Sequence, residues 1–269
     1  MKIRKRDFDF SHSPKLWFSH SPFAVYFFNS FSLIIPKGEA FFMRSVTLFS
    51  RQMADPAMKI DASIFVAQEA NHTQAHDNLN RWIESSYHIS DRFHQIYDKL
   101  LHFYIFRSPR HQLVCTMCLE YLTYIFSRIV LKKDLMQTAD PELRNFWYWH
   151  ALEEIDHKSV AFVLCDRLEV SYLRRCATLL LVLQPLFIML FYGIYIQARQ
   201  DRRLNVKGIF DALRFFAVKE KFLLHFGFLM LPFFWPWHRP EAVDDRSYLE
   251  PYSELDISIE QGSKKVPAA

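Results

Sequence analysis

Apolar residues recur every three or four positions along most of this chain, which is the period of an α-helix. Alternating runs of valine, isoleucine and threonine, which would indicate strands, are scarce, and the sequence holds only 5 glycines. The apolar positions are numerous, because 51% of the residues are hydrophobic and 17% are aromatic. We therefore predict an all-α protein with enough apolar material for a large core.

Start and stop signals divide the first part of the chain into an arm and several helices. The predicted segments are an extended arm over residues 1–20 and helices over residues 22–36, 39–53, 61–82, 90–107, 108–133 and 140–168. Pro36 and Gly38 are the reason for the first break, because both disfavour a continuing helix. Asp61, Ser108 and Asp140 are the predicted N-caps of their helices.

The last third of the chain has a different character. Cys176–Gln197 contains no formally charged residue, and Phe222–Trp237 is a second, shorter apolar run. About 20 apolar residues suffice to cross a membrane, but a helix buried on all sides has the same composition. We divide the chain into residues 1–170, a metal-binding bundle with its arm, residues 171–240, a hydrophobic hairpin packed on the bundle or a membrane, and residues 241–269, a polar tail that is partly disordered.

The charge distribution indicates a lipid surface and not a nucleic acid as the larger partner. The net charge is +4, and its excess lies in Lys2–Arg6, Arg199–Arg203 and Lys219–Lys221. No motif that reads nucleic acid accompanies these clusters. Because arginines also flank the long apolar run, we predict association with anionic lipid.

Cysteine usage and the N-terminus bear on localisation. The 4 cysteines all lie within apolar helical stretches, which is typical of reduced core thiols. The N-terminal apolar stretch, Phe23–Pro36, begins late and lacks a small-residue cleavage site, so no secretory signal is evident. We predict a protein on the cytoplasmic side, associated with the membrane.

Two predicted helices each carry a Glu-x-x-His motif with an extra histidine on the same face. The residues are Glu69, His72 and His76 in the first helix, and His150, Glu154 and His157 in the second. At about 100° per residue, each set falls within an arc of roughly 60°. A buried carboxylate beside imidazoles is costly unless a cation neutralises it, and these ligand types suit iron, manganese or zinc.

Two isolated glutamates, Glu39 and Glu120, complete a candidate ligand set. One glutamate from each of two helices and Glu-x-x-His from each of two others is the set of two-metal carboxylate bundles. We therefore predict a ferritin-like four-helix bundle with additional C-terminal hydrophobic helices, holding two divalent transition-metal ions. Iron is the expected metal, with manganese and zinc as alternatives.

Several assignments in this set remain open at the level of the sequence. Glu153 competes with Glu154, because it stands four residues before His157, although the matching Glu-to-His offset favours Glu154. His76 and His150 are each either ligands or hydrogen-bond partners of ligands. Glu39 would lie in the first turn of a predicted helix, where the helix dipole alone favours a glutamate.

The sequence resembles a bacterial family called "predicted metal-dependent hydrolase", placed among ferritin-like proteins. The matching stretches are Ile3–Phe10, Pro36–Ser45, Gln68–His76 and Trp149–Phe162. The resemblance implies that all eight candidate residues occupy family metal-site positions. It also implies an aspartate where this chain has Val163, and Asp166 is one candidate to replace it in orienting a ligand histidine.

Three functions compete on these grounds. The family name favours a metal-dependent hydrolase, in which a two-metal site activates water. The carboxylate-rich ligands favour an O2-activating di-iron oxidase or oxygenase. The third is a metal-binding, membrane-associated protein without enzymatic activity. The expected partners are a small apolar or lipid-like substrate, a membrane surface and a second copy of the chain in a homodimer.

Overall fold

The structure, a computed structural model, describes residues 3, 4, 6–18, 21–214, 217 and 221–252. The helices are α1 Pro22–Ser50, α2 Pro56–Tyr87, α3 Asp91–Tyr104, α4 Pro109–Lys132, α5 Pro141–His157, α6 Val160–Arg167, α7 Tyr172–Gln200, α8 Val206–Leu213, α9 Phe222–Met230 and α10 Arg246–Leu249. Short 3-10 turns follow at Leu231–Phe234, Pro240–Ala242 and Glu250–Tyr252. Within these ranges there is no strand, only an isolated bridge between Phe18 and Ala139. The all-α prediction is confirmed, whereas the predicted disorder near the C-terminus lies outside the described residues.

Helix α1 contradicts the predicted break at Pro36-Lys37-Gly38, because it runs without interruption from Pro22 to Ser50. A proline inside a helix has no N–H, so the carbonyl four residues earlier loses its usual donor. Here that carbonyl belongs to Ser32, and the side-chain Nδ2 of Asn80 on α2 donates to it at 3.1 Å. A hydrogen bond between helices thus replaces the one that the proline removes, and Glu39 lies in a helix interior instead of a first turn.

Helix caps account for most of the other boundaries. The predicted caps Ser108 and Asp140 are confirmed, since the side chain of each accepts a backbone N–H of the following turn. The predicted cap Asp61 is wrong, because α2 begins earlier, with the Asp55 side chain accepting the N–H of Ala57 at 2.9 Å. Asp55 stands directly before Pro56, and a first-turn proline after an N-cap is the stronger start signal.

The helix predicted over residues 140–168 is interrupted directly after the last candidate ligand. Helix α5 ends at His157 and α6 begins at Val160. The Lys158 ammonium group turns away from the helix axis and contacts the Asp245 carboxylate at 2.5 Å. The break thus joins the C-terminal segment to the end of α5.

Four helices surround the centre of the protein. Helix α1 packs along α2, α4 packs along α5, and α1 also packs against α4. Aromatic side chains fill the interior between them, for example Phe28 against Trp147 with ring centroids 5.1 Å apart. The cysteines are unpaired, and Cys115, Cys118 and Cys165 are buried, as expected of reduced core thiols.

The N-terminal arm lies along α5. Phe8 and Phe10 each meet the ring of Phe146 edge-on, with centroids 5.2 and 5.5 Å apart. Further along, Trp17 is buried, and its Nε1 donates to the Asn29 side chain at 3.0 Å. The described part of the arm is therefore an ordered layer over the bundle.

Two helices in the described residues, α4 and α7, are long and apolar enough to cross a membrane. In α4, 83% of the most apolar window is buried, so the bundle itself accounts for its composition. In α7 the figure is only 33%, and the side opposite α1 exposes large apolar side chains. They include Leu173, Leu180, Phe187, Ile188, Phe191 and Tyr195. The core alone does not explain the apolar character of α7.

Candidate metal centre

The structure brings all eight predicted residues into the interior, on the four helices that form the bundle. They are Glu39 on α1, Glu69, His72 and His76 on α2, Glu120 on α4, and His150, Glu154 and His157 on α5. None of these residues is more than 3% exposed. The helical period places each motif on an inward face, which is why residues so far apart in sequence meet.

The two Glu-x-x-His motifs face each other at the centre of the cluster. One donor atom from each of Glu69, His72, Glu154 and His157 lies within 4.8 Å of all the others. Glu69 Oε1 is 2.7 Å from His157 Nδ1, and its Oε2 is 4.0 Å from His72 Nδ1. Glu154 Oε1 is 3.5 and 3.4 Å from the same two nitrogens. Both motif glutamates therefore lie between the two motif histidines.

The two remaining glutamates extend the cluster in opposite directions. Glu39 Oε1 is 3.8 Å from His72 Nδ1, and Glu120 Oε2 is 3.7 Å from His157 Nδ1. Thr73 Oγ1 donates to the other Glu39 oxygen at 2.8 Å and fixes that carboxylate. We call the two ends the Glu39 half-site and the Glu120 half-site.

The extra histidines both lie toward the Glu39 half-site. His150 forms a second group of candidate ligands with Glu39 and His72, and its Nε2 is 3.6 Å from Glu154 Oε1. His76 belongs to neither group. Its Nε2 is 3.3 Å from His150 Nδ1, and its Nδ1 contacts the Ser32 hydroxyl at 2.8 Å. The contacts of His76 are those of a hydrogen-bond partner of His150.

Glu153 contacts His72 on the side opposite the other carboxylates, so it does not replace Glu154. Its Oε2 is 2.9 Å from His72 Nε2, the nitrogen that points away from the other carboxylates. Its Oε1 accepts the backbone N–H of Arg4 at 2.7 Å. Sequence reasoning missed this role and missed Arg4. The signal for Glu153 was the Glu-Glu pair itself, since adjacent helical residues point about 100° apart and only one can face the centre.

The suggested substitute Asp166 does not orient a histidine. Its side chain is 54% exposed and pairs with Arg239, with Oδ1 3.1 Å from Nη2. Because α6 begins only after the break at Lys158, Asp166 does not continue the inward face of α5. Orientation of His72 falls to Glu153.

Burial sets the protonation of the metal-free cluster. It raises the pKa of Glu39 and of Glu120 well above the usual value, and the charge of Glu69 raises both further. Burial also raises the pKa of Glu69. In Glu154 burial acts the same way, but the contact with His157 prevails and lowers its pKa well below the usual value. Most of these carboxylates are thus held ionised only if positive charge is supplied.

The histidines divide into two kinds. Burial lowers the pKa of His72, yet its contacts with Glu153 and Glu154 prevail and raise it to about 10. The pKa of His157 is likewise raised, because Glu69 and Glu154 outweigh burial. Burial lowers the pKa of His150 to about 3 and that of His76 well below its usual value. The motif histidines therefore compensate the carboxylates, while the extra pair stays neutral.

Many polar atoms of the cluster lack a hydrogen bond of ordinary geometry. They are Glu39 Oε1, both carboxylate oxygens of Glu69 and of Glu120, Glu154 Oε2, both ring nitrogens of His72 and both ring nitrogens of His157. Buried polar groups are nearly always paired, because an unpaired one costs free energy. Carboxylate oxygens and imidazole nitrogens converging on one point form a donor set that fits a divalent transition metal. These buried groups can hold a metal ion.

Comparison with known proteins agrees with this chemistry. The sequence profile of a family described as "predicted metal-dependent hydrolase" matches residues 2–244. That range includes every candidate ligand and the N-terminal arm. No curated protein and no solved structure gives a significant match to the chain.

Proposed function

The chain belongs to the family of predicted metal-dependent hydrolases, and on this premise we propose that it is an enzyme working with two divalent transition-metal ions. The observation that carries the proposal is the position of Glu69 and Glu154, each within 4.0 Å of both motif histidines. Carboxylates in that position are able to bridge two ions. A single ion would leave one of the half-sites with unpaired buried oxygens.

The ligand set assigns each residue a part. Glu39 and His72 would bind one ion, Glu120 and His157 the other, and the two motif glutamates would lie between them. His150 adds a nitrogen donor on the Glu39 side only. The two half-sites are therefore chemically different, which favours one ion as the place where substrate or water binds.

The bound ions would supply either a water of lowered pKa for hydrolysis or electrons for oxygen chemistry. The protein side chains prepare the site for both. The Glu153 carboxylate lies 2.9 Å from His72 Nε2, on the side away from the other carboxylates, and so favours His72 Nδ1 facing the centre. Trp149 and Phe65 meet the rings of His72 and His157 edge-on, at 4.9 and 4.7 Å between centroids, and exclude water around them. The neutral pair His76 and His150 lies between Ser32 and Glu154, with successive contacts of 2.8, 3.3 and 3.6 Å.

We favour hydrolysis because of the family, with O2-activating di-iron oxidation as the alternative because four glutamates surround the centre. The test is metal analysis of protein purified without oxygen, with optical spectra before and after air is admitted. Two zinc or manganese ions per chain and an unchanged spectrum are expected for a hydrolase. Two iron ions and a new charge-transfer band would support the oxidase, and a preparation that binds no metal would exclude both, leaving a protein without a metal function.

We further propose that the protein acts on apolar or lipid-like substrates at an anionic membrane surface. In α7 the exposed side chains at positions 173, 180, 187, 191 and 195 follow one another at intervals of seven and four, so they form one stripe along the helix. At the end of α7, the short helix α8 exposes Val206, Phe210 and Leu213. Exposed apolar surfaces of this extent mark interaction sites.

The basic residues around α8 support an anionic lipid surface, and not a second copy of the protein, as the partner of the exposed stripe. Lys207 and Arg214 belong to or adjoin α8, and Arg199 and Arg203 precede it. An amphipathic helix with a basic polar face binds in the headgroup layer of anionic bilayers. The stripe then faces the acyl chains while the bundle remains in water, which is docking on the surface without a full crossing.

Vesicle sedimentation tests this membrane prediction. We expect the intact chain to pellet with phosphatidylglycerol vesicles, less so with neutral phosphatidylcholine vesicles, and less at high salt. Changing both Phe187 and Phe191 to serine should weaken binding at least tenfold, since each loses about 1.5–3 kcal/mol of apolar burial. The matched control changes Leu48 and Ile60 to serine and should bind vesicles as the wild type does, because these residues are exposed on α1 and α2, away from the stripe. If the protein instead forms a discrete oligomer and does not bind vesicles, the stripe is an interface between copies of the chain and the membrane proposal is wrong.

A further inference from the structure

The N-terminal arm reaches the metal centre through one buried carboxylate. The backbone N–H of Arg4 donates to Glu153 Oε1 at 2.7 Å, and Glu153 Oε2 is 2.9 Å from His72 Nε2. The Arg4 guanidinium adds charge, with Nη1 3.9 Å from Glu153 Oε1 and 3.6 Å from Asp156 Oδ2. The backbone of Arg4, the Glu153 carboxylate and the His72 imidazole thus form a chain of contacts from the N-terminal arm to a candidate ligand.

Further contacts hold the arm in this position. Trp149 Nε1 donates to the Arg4 carbonyl oxygen at 2.7 Å, so α5 holds both sides of that residue's backbone. Downstream, the Asp9 N–H donates to Glu142 Oε1 at 3.1 Å, and Arg6 lies 3.8 Å from the other Glu142 oxygen. Trp149 also packs edge-on against the His72 ring, so the residue that holds Arg4 limits the motion of His72 as well.

The buried carboxylate is stable only because it has these two neighbours. Glu153 is fully buried, and an ionised carboxylate in that position needs donors or positive charge. The Arg4 N–H donates to Oε1, and the His72 imidazole lies with its Nε2 2.9 Å from Oε2. An N–H held on Nε2 leaves Nδ1 as the nitrogen with a free lone pair in the neutral ring. That nitrogen is the one facing Glu39, Glu69 and Glu154.

The other motif histidine has no such support. The carboxylates near His157 all face its Nδ1, and the ring of Phe65 lies against the imidazole. The two half-sites therefore differ in the groups that contact the outer nitrogen of their motif histidine. Among the described residues, the contact through Glu153 connects the arm to the Glu39 half-site.

We propose that Glu153 and the backbone of Arg4 are positioning residues for His72, and that the docked arm is a structural part of the Glu39 half-site. The proposal rests on the proposed function in that it requires a metal ion at this site. It explains why the described part of the arm is packed so closely on α5. It also predicts that disturbing the arm affects one ion and spares the other.

Glu153→Gln tests the first link, with Co²⁺ titrated into the metal-free full-length protein and followed by its visible absorption. Glutamine keeps the shape but has one acceptor oxygen, so it cannot accept from both Arg4 and His72. We expect one of the two Co²⁺ equivalents to bind 10–100-fold more weakly with an altered spectrum, and the other to bind as in the wild type. Unchanged binding of the other Co²⁺ equivalent also shows that the variant is folded.

Glu84→Gln is the matched control, because Glu84 is a carboxylate of the helix that carries His72 and contacts His94 instead of the arm or His72. It should bind both equivalents as the wild type does. If Glu153→Gln does the same, with the same spectrum, the positioning role is wrong while the two-metal proposal stands. If both variants weaken both equivalents alike, Glu153 acts only through general stability. A wild type that takes up no Co²⁺ would instead contradict the proposed function.

The second link is tested by comparing Arg4→Pro with Arg4→Ala. Both remove the guanidinium, but only proline removes the backbone N–H that Glu153 accepts. We expect Arg4→Pro to weaken the same Co²⁺ equivalent as Glu153→Gln, by at least threefold more than Arg4→Ala. Equal affinities in the two variants would show that the arm does not act through this hydrogen bond.

Discussion

Glu154→Ala is expected to remove both metal ions, whereas Glu120→Ala should remove only one. Glu154 Oε1 lies 3.5 and 3.4 Å from the nitrogens of both motif histidines, so both half-sites lose a ligand with it. Glu120 is within reach of His157 alone, and no charged residue adjacent in α4 can replace it. The measurement is metal per chain after gel filtration, with circular dichroism to establish that each variant is folded.

Glu84→Ala on the same helix as Glu69 serves as the control and should keep both ions, because Glu84 contacts His94. If the Glu120→Ala variant kept both metal ions, Glu120 would not be a metal ligand. If Glu154→Ala retained one ion at wild-type affinity, the motif glutamates would not bridge, and two independent single-ion sites would describe the cluster better. The comparison thus separates a shared centre from two adjacent ones.

Removing the metal is expected to make stability strongly dependent on pH above neutrality. In the metal-free fold the pKa of His72 is raised from 6.5 to about 10, and that of His157 is raised too. Between pH 6.5 and about 10 the fold keeps protons that the unfolded chain has released. The contribution of these two histidines to stability is therefore full below pH 6.5 and falls as pH rises, by about 1.4 kcal/mol per pH unit for each such proton.

The other groups do not reverse this trend. The raised pKa values of Glu39, Glu69 and Glu120 act in the same direction, because their buried carboxyl groups also retain protons that the unfolded chain gives up. His76 and His150 have lowered pKa values, so above pH 6.5 they are neutral whether the chain is folded or not. Their opposing effect is confined to more acidic conditions.

A bound metal should cancel the dependence, since coordination requires deprotonated histidines and carboxylates. We expect the difference in melting temperature between metal-loaded and chelator-treated protein to widen steadily from pH 6.5 to 9. The Glu120→Ala variant, which has one fewer buried carboxyl group, should show a smaller decline when metal-free. A metal-free protein whose stability is constant over this range would mean that these groups do not face one another as described.

Helical periodicity made much of the site predictable. Glu69 and His72, or Glu154 and His157, share a helix face whatever the rest of the fold does, and the facing of the two motifs then follows from burial. The N-caps Ser108 and Asp140 were equally local, since each cap involves only its own turn. Helix faces and N-caps depend on residues close in sequence, so a single sequence is enough to predict them.

Contacts between distant segments could not be predicted in this way. The continuity of α1 through Pro36 depends on Asn80, which lies on another helix. The role of Glu153 depends on Arg4, which is 149 positions away. Asp166 was misplaced because the helix ends at His157 and begins again at Val160, and Lys158 between them contacts Asp245, again far along the chain. In each case the deciding partner has no periodic relation to the residue it contacts.

The proline in α1 also has a consequence for how the helices can slide past each other. Ser32 offers its freed carbonyl to Asn80 Nδ2, and its hydroxyl donates to Asn80 Oδ1 at 2.7 Å while contacting His76 at 2.8 Å. A slip of α1 by one turn, about 5.4 Å, would break all three contacts at once and carry Glu39 away from His72. Pro36 therefore helps to fix the register of the two helices: with alanine at position 36 the Ser32 carbonyl would also accept a hydrogen bond within α1, and its bond to Asn80 would weaken although no ligand has changed.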